Sequence, residues 1–395
     1  MRPLRLLPST SMRPRVPEHP GATVAVRGRW TRAVAHLRES TMGRTILAAL
    51  VMLALAACSS GTTSPSADPS APSVPATSGD AGEPGGSPSP TSPVPPGEHA
   101  ATGLAFVGFP AGTDDPASQI FVVEADGTPR QVTGAVEGAS RPAWSPDRSQ
   151  IAFGPAKIGS SALNGQVGVV NADGTDQRAL SVGQNPRWSP DGNRLLVQEV
   201  DDVTSEPVSI WVIDVASAEA TDLGQGFNAQ WLPDGERISF RRVVDTPDGS
   251  FADAVFVMTL PDGEPEELGT ESESDVYWSP DGESYLVHHD GALTLVEPDG
   301  SREFATGFAP VWSPDGSRVL FAYDFDEQAI PRLAVLDLEG RTVWSGAVGQ
   351  NPTWSPDGTR IAVEIPVPEP TIRVLDAATG DTLWEMDGSE PAWAP

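Results

Sequence analysis

Residues 103 to 395 alternate short apolar runs with polar turns, and the same arrangement returns many times. In Ile238, Ser239 and Phe240 the apolar side chains lie two positions apart, which is the spacing of one face of a strand. Equivalent runs occupy 151–153, 195–197, 285–287, 319–321 and 361–363. Further runs end in Asp-Gly, as at Asp126 and Gly127, a dipeptide typical of β-hairpins. The pattern predicts an all-β chain of many short strands.

A Trp-Ser-Pro-Asp-Gly motif punctuates these strands. Its tryptophans are Trp144, Trp188, Trp231, Trp278, Trp312 and Trp354, and a truncated copy begins at Trp393. Pro and Gly at these positions predict a tight turn directly after a strand that ends in the Trp. Arg148 replaces the Gly of the first copy and Leu232 replaces the Ser of the third, so we expect altered turn geometry there. A unit of ~40 to 45 residues matches one four-stranded blade of a β-propeller.

The two ends of the repeat region complement each other. Leu104 to Phe106 resembles the strand that follows each turn, although no motif precedes it. Glu390 to Trp393 resembles the strand before the turn, although no complete motif follows it. We therefore predict a seven-bladed propeller in which one blade combines both ends and closes the ring. Six blades are the alternative if the short unit between Trp278 and Trp312 is irregular.

The repeats resemble the TolB-like, WD-like β-propeller family, and the resemblance covers 103 to 395. It implies a propeller fold but leaves the function open, because the family includes scaffolds, sugar lyases and gating domains of peptidases. TolB itself resembles a six-bladed ring behind an N-terminal α/β domain, which is not predicted here. A Tol-Pal role is therefore not expected.

The residues upstream of the repeats predict a lipid anchor and a spacer. An apolar run leads to Leu55-Ala56-Ala57-Cys58, which resembles a bacterial lipobox, and Cys58 is the only cysteine. We interpret 42–57 as a lipoprotein signal peptide and 1–41 as an N-terminal extension from a misassigned start codon. Residues 58–102 carry the lipidated Cys58 and a Pro/Ser/Thr-rich linker whose composition predicts disorder. The expected location is the extracytoplasmic side of a cell membrane, facing a periplasm or cell wall.

Charge restricts the partners of the predicted propeller. The chain has a formal net charge of −29 at pH 7, and residues 103–395 hold 48 Asp and Glu against 16 Lys and Arg. Such a domain is repelled by nucleic acid and by anionic lipid headgroups. The sequence predicts an envelope protein or a cell-wall polymer as partner, no nucleic acid, and a monomeric state.

The sequence holds no recognisable catalytic motif. We find no Gly-x-Ser-x-Gly nucleophile elbow. Among residues 103–395 the histidines are His288 and His289, and neighbours on a strand point to opposite faces, which disfavours a shared metal. We therefore predict no catalytic residue, no metal and no cofactor, and expect a binding scaffold more than an enzyme. The alternatives are a carbohydrate-active or other hydrolytic propeller enzyme, and a sensor or accessory subunit of a membrane kinase or transporter.

Loop lengths indicate which face of the propeller binds a partner. Connections between the second and third strands of the blades are long and irregular, whereas the Trp-Ser-Pro-Asp-Gly and Asp-Gly turns at the opposite end are short and uniform. Variable loops on a rigid scaffold are where binding residues gather. The predicted binding residues in these loops or near them are Asp114, Asp115, Asp201, Asp202, Arg241, Arg242, Asp245, Asp324 and Asp326.

Overall fold

The computed structural model describes residues 101–110, 117–134, 138–156, 165–200, 207–246, 250–269 and 274–395. These residues form strands and turns and no helix. The strands are β1 (Leu104–Gly108), β2 (Gln119–Val123), β3 (Pro129–Gln131), β4 (Ala139–Trp144), β5 (Gln150–Pro155), β6 (Gln166–Asn171), β7 (Arg178–Val182), β8 (Gln184–Trp188), β9 (Arg194–Val200), β10 (Pro207–Asp214), β11 (Ala220–Asp222), β12 (Phe227–Trp231), β13 (Arg237–Asp245), β14 (Phe251–Thr259), β15 (Glu266–Glu267), β16 (Asp275–Trp278), β17 (Tyr285–His289), β18 (Ala292–Glu297), β19 (Gly300–Thr306), β20 (Phe308–Trp312), β21 (Arg318–Phe325), β22 (Pro331–Asp337), β23 (Thr342–Val348), β24 (Gln350–Trp354), β25 (Arg360–Ile365), β26 (Thr371–Asp376), β27 (Thr382–Asp387) and β28 (Ser389–Trp393).

The strands form seven four-stranded antiparallel sheets, which are the seven predicted blades. Blade 1 has the order β28-β1-β2-β3, and blades 2 to 7 begin with β4, β8, β12, β16, β20 and β24. In blade 1, Leu104 lies opposite Trp393 and Ala105 opposite Ala392, so both ends of the repeat region share one sheet. The first strands of blades 7, 1, 2, 3 and 4 contact one another in that order. The closed seven-bladed ring is confirmed, and the six-bladed alternative is wrong.

The repeated tryptophans join neighbouring blades. The indole Nε1–H of Trp188 donates to the carbonyl of Ala143 in the preceding blade at 2.8 Å, and Trp231 bonds the carbonyl of Arg187 in the same way at 3.1 Å. Trp312 and Trp354 repeat the contact in blades 6 and 7. A large apolar ring explains why Trp recurs at these interfaces, and in these four tryptophans the N–H is satisfied as well. The buried Nε1 atoms of Trp144 and Trp393 have no hydrogen-bond partner among the described residues. Packing between blades, the role expected from the sequence, is confirmed for these tryptophans.

Six of the seven interfaces between blades contain a cluster of buried apolar side chains. Within the described ranges, no such cluster spans blades 4 and 5. That interface instead holds Arg241 of β13, which bonds Asp275 of β16, and Trp278, which donates to the Ser239 hydroxyl at 3.0 Å. Polar contacts therefore join blades 4 and 5 where apolar packing joins the others.

The Ser-Pro-Asp-Gly turns are closed by hydrogen bonds of their own residues. In the second copy, Ser189 donates to Asp191, which also accepts the backbone N–H of Asn193, and Ser189 Oγ accepts the N–H of Arg194. The variant copies keep this turn: Arg148 adopts φ 62° in place of glycine, and the backbone at Leu232 makes the usual turn bonds. The expected difference in turn geometry is therefore wrong. The Arg148 side chain is tolerated at this position because it is exposed to solvent.

These turn carboxylates predict how stability depends on pH. A hydrogen bond from the Ser hydroxyl of each turn holds the pKa of Asp147, Asp191, Asp281 and Asp315 below the ordinary value. Because the folded-state pKa lies below the unfolded one, ionised Asp stabilises the fold above about pH 4, and this stabilisation is lost as pH falls through the folded value. We expect the melting temperature, measured by calorimetry, to fall below about pH 4.

The variant that tests this prediction changes Asp147, Asp191, Asp281 and Asp315 to Asn. It should melt at a lower temperature than the wild type at pH 7, and its decline in acid should be shallower because the titrating groups are gone. An acid decline as steep as that of the wild type would show that these turns do not govern acid stability.

Candidate functional site

The first strand of each blade begins at the end of the propeller that carries the long loops. The first strand of each blade reaches its Trp at the opposite end of the propeller. The chain then turns, and the second strand runs back toward the long loops. We call the positions three residues before each Trp the mouth ring, since they surround the central axis on the long-loop face. They are Arg141, Asn185, Asn228, Asp275, Ala309, Asn351 and Glu390. Six of the seven side chains are polar or charged.

The backbone of the mouth ring is unusual. Six of its residues, all but Asp275, have φ between 49° and 55°, and the register of the six strands shifts at or next to them. A left-handed conformation is disfavoured for residues other than glycine and best tolerated by Asn, which occupies three of the six positions. A bulge redirects side chains at the rim of a sheet. Five of the six left-handed residues are polar or charged, namely Arg141, Asn185, Asn228, Asn351 and Glu390.

Hydrogen bonds connect the mouth ring across the closing blade. The backbone N–H of Arg141 in blade 2 donates to Glu390 Oε2 in blade 1, and the N–H of Glu390 donates to Glu364 Oε2 in blade 7 at 2.9 Å. Glu364 is buried and also accepts Gln350 Nε2 at 2.9 Å and Asn351 Nδ2 at 3.1 Å. The pKa of Glu390 is raised, because burial of its carboxyl outweighs the opposing effect of the hydrogen bond from Arg141. Two carboxylates therefore lie close together where the ring closes.

Arg241 occupies the other side of the mouth. Its two Nη atoms lie 2.6 Å from Asp253 of β14 and 2.8 Å from Asp275 of β16, and its guanidinium stacks on Phe227 at 5.0 Å. The side chain is only 14% exposed. Asp275 also accepts Asn228 Nδ2 at 3.3 Å, and burial raises the pKa of Asp253. The geometry gives Arg241 a role in joining blades 4 and 5, and its predicted contact with a ligand stays a prediction.

The remaining predicted arginine and two of the aspartates also have contacts within the fold. Arg242 lies over Phe240 and Phe256 and donates from Nε to the carbonyl of Gln225 at 3.0 Å. Asp326 accepts the backbone N–H groups of Gln328 and Ile330, so it caps its own loop as the turn aspartates do. Asp245 is exposed at the end of β13.

Asp324 is exposed opposite Arg332 at the corresponding end of β21. The other five predicted site residues, which are Cys58, Asp114, Asp115, Asp201 and Asp202, lie outside the described residues. The structure thus brings Arg241 into the mouth and leaves Asp245 and Asp324 on separate loop ends.

Sequence reasoning missed a group of exposed apolar side chains. Of the seven large apolar side chains that the described ranges expose, five lie where the second strand of a blade ends or the third begins, which is the long-loop face. They are Phe109, Val208, Tyr323, Phe325 and Val367. Phe109 is 67% exposed and Phe325 48%. Four of the five belong to the consecutive blades 6, 7 and 1, and Glu364 and Glu390 lie in blades 7 and 1. Apolar surface gathered on one face is typical of an interaction site.

The two histidines lie at the end of β17, near Asp275 and Asp290. His288 lies opposite Asp275, and burial lowers its pKa, so it is neutral at pH 7. His289 Nδ1 lies 3.5 Å from the hydroxyl of Ser274 and Nε2 lies 3.6 Å from Asp290. Ser274 is only 1% exposed. No group of three or more candidate metal ligands occurs in the part of the chain that the structure covers.

No protein-family model matches the chain, and no curated protein matches it. Solved structures do match. The β-propeller domain of the Trilobed protease from Pyrococcus furiosus is 16% identical with a TM-score of 0.53, and the match covers 74% of this chain and 95% of that domain. Oligogalacturonate lyase from Vibrio parahaemolyticus is 13% identical with a TM-score of 0.50 over 66% of this chain and 83% of the lyase.

TolB from Acinetobacter baumannii is 19% identical with a TM-score of 0.46 over 74% of this chain, which spans 66% of the TolB chain. At such identities the likeness to the Pyrococcus domain and to the lyase shows the propeller fold alone. The Pyrococcus domain has an open velcro topology, whereas β28 and β1 pair here and close the ring. None of the described residues forms a helix long and apolar enough to cross a membrane.

Proposed function

We propose that this chain is a lipid-anchored binding scaffold on the extracytoplasmic side of a membrane, and that it holds an envelope partner on its long-loop face. The proposal that this face binds a partner rests on one observation, which is that the two ends of the propeller expose different kinds of side chain. On the turn face the motif carboxylates are engaged in their own turns. On the long-loop face five large apolar side chains are exposed beside the acidic loops.

The end of β21 shows the chemistry that a partner would meet. Tyr323, Asp324 and Phe325 are consecutive and all exposed, and the register of β21 against β22 shifts between Ala322 and Asp324. Phe325 stacks on Phe308 of the first strand at 5.3 Å, which holds its ring in place at the surface. A partner that offers apolar side chains and positive charge fits this surface, because aromatic contacts supply affinity and charge complementarity supplies rate and register.

The test is to capture a partner from envelope extract and then to change Asp201, Asp202, Asp324 and Asp326 together to Asn. Asn keeps an oxygen acceptor for the Asp326 loop and removes four charges. Exposed charge contacts contribute ~0.2 to 1 kcal/mol each, so we expect the affinity, measured by biolayer interferometry, to fall about fourfold or more. Wild-type binding should also weaken as salt rises.

A matched control changes Glu236, Asp262, Glu283 and Asp299 to the corresponding amides. These four exposed acids lie in turns at the opposite end, so the same charge is removed from the wrong face. The control should bind like the wild type. If both variants lose affinity equally, the effect comes from net charge and not from this face. If only the control loses affinity, the binding surface lies on the turn face.

A further inference from the structure

The outermost strand of each blade has one open edge, and the propeller limits these edges in two ways. An open edge offers backbone N–H and C=O groups to other extended chains, and natural sheets blunt such edges with bulges or very short strands. The longer outermost strands, β7, β19, β23 and β27, each pair with a register shift. The others, β3, β11 and β15, have three, three and two residues. No outermost strand therefore offers a long, regular edge.

Blade 4 departs from this arrangement, because its third strand is much longer than its fourth. β14 has nine residues, and all nine pair with β13 without a register shift. β15 pairs only with Phe256 and Val257, and the N–H of Leu268 donates to the carbonyl of Val255 at 2.8 Å. Residues 251–253 therefore extend past the outer strand, toward the long loops, as a regular edge.

The alternation of an antiparallel strand shows which backbone groups of this edge are available. The carbonyl of Val255 faces outward, so Asp253 and Phe251 direct their N–H and C=O groups to the same side. Within the described ranges no donor or acceptor pairs with these groups, and both residues keep part of their surface exposed. β10 also extends past a short outer strand, but there Pro207 lacks an N–H and the register shifts next to it.

Charge around the β14 edge restricts what can pair with it. Asp253 bonds Arg241 at 2.6 Å, and Arg241 also bonds Asp275, so two carboxylates share one guanidinium. Farther along the same edge, Glu266 and Glu267 of β15 are exposed. Two copies of this edge would bring these acids together, and like charges on neighbouring strands are destabilising. A basic strand is favoured instead.

We propose that residues 251–253 bind an extended, basic polypeptide segment as an additional antiparallel strand. The segment lies in line with β15 and exchanges backbone hydrogen bonds with Phe251 and Asp253, since β14 already pairs antiparallel with β13 and β15. A Lys or Arg of the segment lies opposite Asp253, and a larger apolar residue lies opposite Ala252, which has only a methyl group. Three residues are enough, because β3 and β11 pair over the same length.

Binding at this edge is separate from binding by the exposed apolar side chains, because four of those five belong to blades 6, 7 and 1. A defined peptide therefore tests the edge without the envelope partner. The probe is the fluorescein-labelled peptide Gly-Ser-Thr-Val-Lys-Val-Thr-Ser, titrated with the full chain at low salt and followed by fluorescence anisotropy. A second peptide carries Glu in place of Lys and should bind about tenfold more weakly, because its charge is reversed.

Methylation of single amide nitrogens in the probe tests the backbone pairing. The Lys opposite Asp253 forms a hydrogen-bonded pair with it, so the Lys N–H faces β14, whereas the N–H of the following Val faces away. N-methylation at Lys should weaken binding about fivefold or more, because it removes a hydrogen bond at the edge. N-methylation at that Val is the matched control and should change binding by no more than about twofold, because its N–H is not used.

Variants of the protein locate the binding site. Phe251→Pro removes an outward N–H and leaves the pairing with β13 in place, since proline is tolerated where the N–H of an edge strand faces solvent. It should weaken binding of the Lys peptide about fivefold, whereas Phe251→Val keeps the N–H and should bind like the wild type. Asp253→Asn should reduce the preference for Lys over Glu, and Asp262→Asn, at an exposed turn of the same blade, should not.

The proposal is overturned if the wild type does not bind the Lys peptide, if it binds the Glu peptide equally well, or if both methylated peptides bind alike. These comparisons use the wild-type protein, so they hold even if circular dichroism shows that Phe251→Pro does not fold. A folded Phe251→Pro that binds like the wild type also overturns it. Light scattering should show a monomer, and a dimer that Phe251→Pro converts to a monomer would instead assign the edge to a second copy of the chain.

Discussion

Removal of residues 391 to 395 should lower the melting temperature of the propeller by at least about 6 °C. The deletion takes most of β28, including Trp393, which is only 8% exposed and packs with Leu104, Phe106 and Ala362. Truncation of a buried Trp alone costs ~3 to 5 kcal/mol, and in a large domain each kcal/mol is worth ~2 to 4 °C. The deletion also leaves β1 without its inner partner and opens the ring.

Two further variants define the cause. Deletion of Pro395 alone removes an exposed residue beyond β28 and should melt within a degree or so of the wild type. Trp393→Ala keeps the backbone pairing of β28 and should fall between the wild type and the full deletion. If the five-residue deletion melts like the wild type, closure by the two ends does not stabilise the ring.

The strands and the closure of the ring could be predicted because their signals are local. Apolar alternation, the Ser-Pro-Asp-Gly turn and the Trp all act within one blade or at its edge, and each recurs in nearly every repeat. Closure of the ring could be predicted for the same reason, because the incomplete units at Leu104 and Trp393 each lack the strand that the other supplies. The left-handed residues of the mouth ring had a weaker signal. Asn, which tolerates a left-handed backbone best, occupies positions 185 and 351. Ala309 and Glu390 adopt the same φ although their residue types do not favour it.

The candidate site was predicted only in part because its contacts join different blades. Arg241 was chosen as a free basic residue near the rim, and its two partners lie 12 and 34 residues farther along the chain. The exposure of Phe109 and Phe325 was equally hidden, because apolar residues at strand ends are usually read as core.

Cys58→Ser should abolish attachment of the protein to membranes. At a lipobox, a transferase moves a diacylglyceryl group from a membrane phospholipid to the cysteine thiol and forms a thioether, and Cys58 is the only cysteine in the sequence. Anchoring by two or more acyl chains is stable because each buried CH₂ contributes ~0.8 kcal/mol, so loss of the acceptor removes the whole contribution at once. In Triton X-114 partitioning of cells that express the full chain, the wild type should enter the detergent phase and the Ser variant the aqueous phase.

A change at the neighbouring residue separates lipidation from a general effect on export. Ser59→Ala leaves the thiol and the preceding Leu-Ala-Ala in place, so this variant should partition and incorporate labelled palmitate like the wild type. Cys58→Ser should incorporate no label. If the Ser variant still enters the detergent phase without label, the apolar run at 45–57 holds the protein in the membrane by itself and the lipoprotein assignment is wrong. If both variants incorporate label, the acylated residue lies elsewhere in the chain.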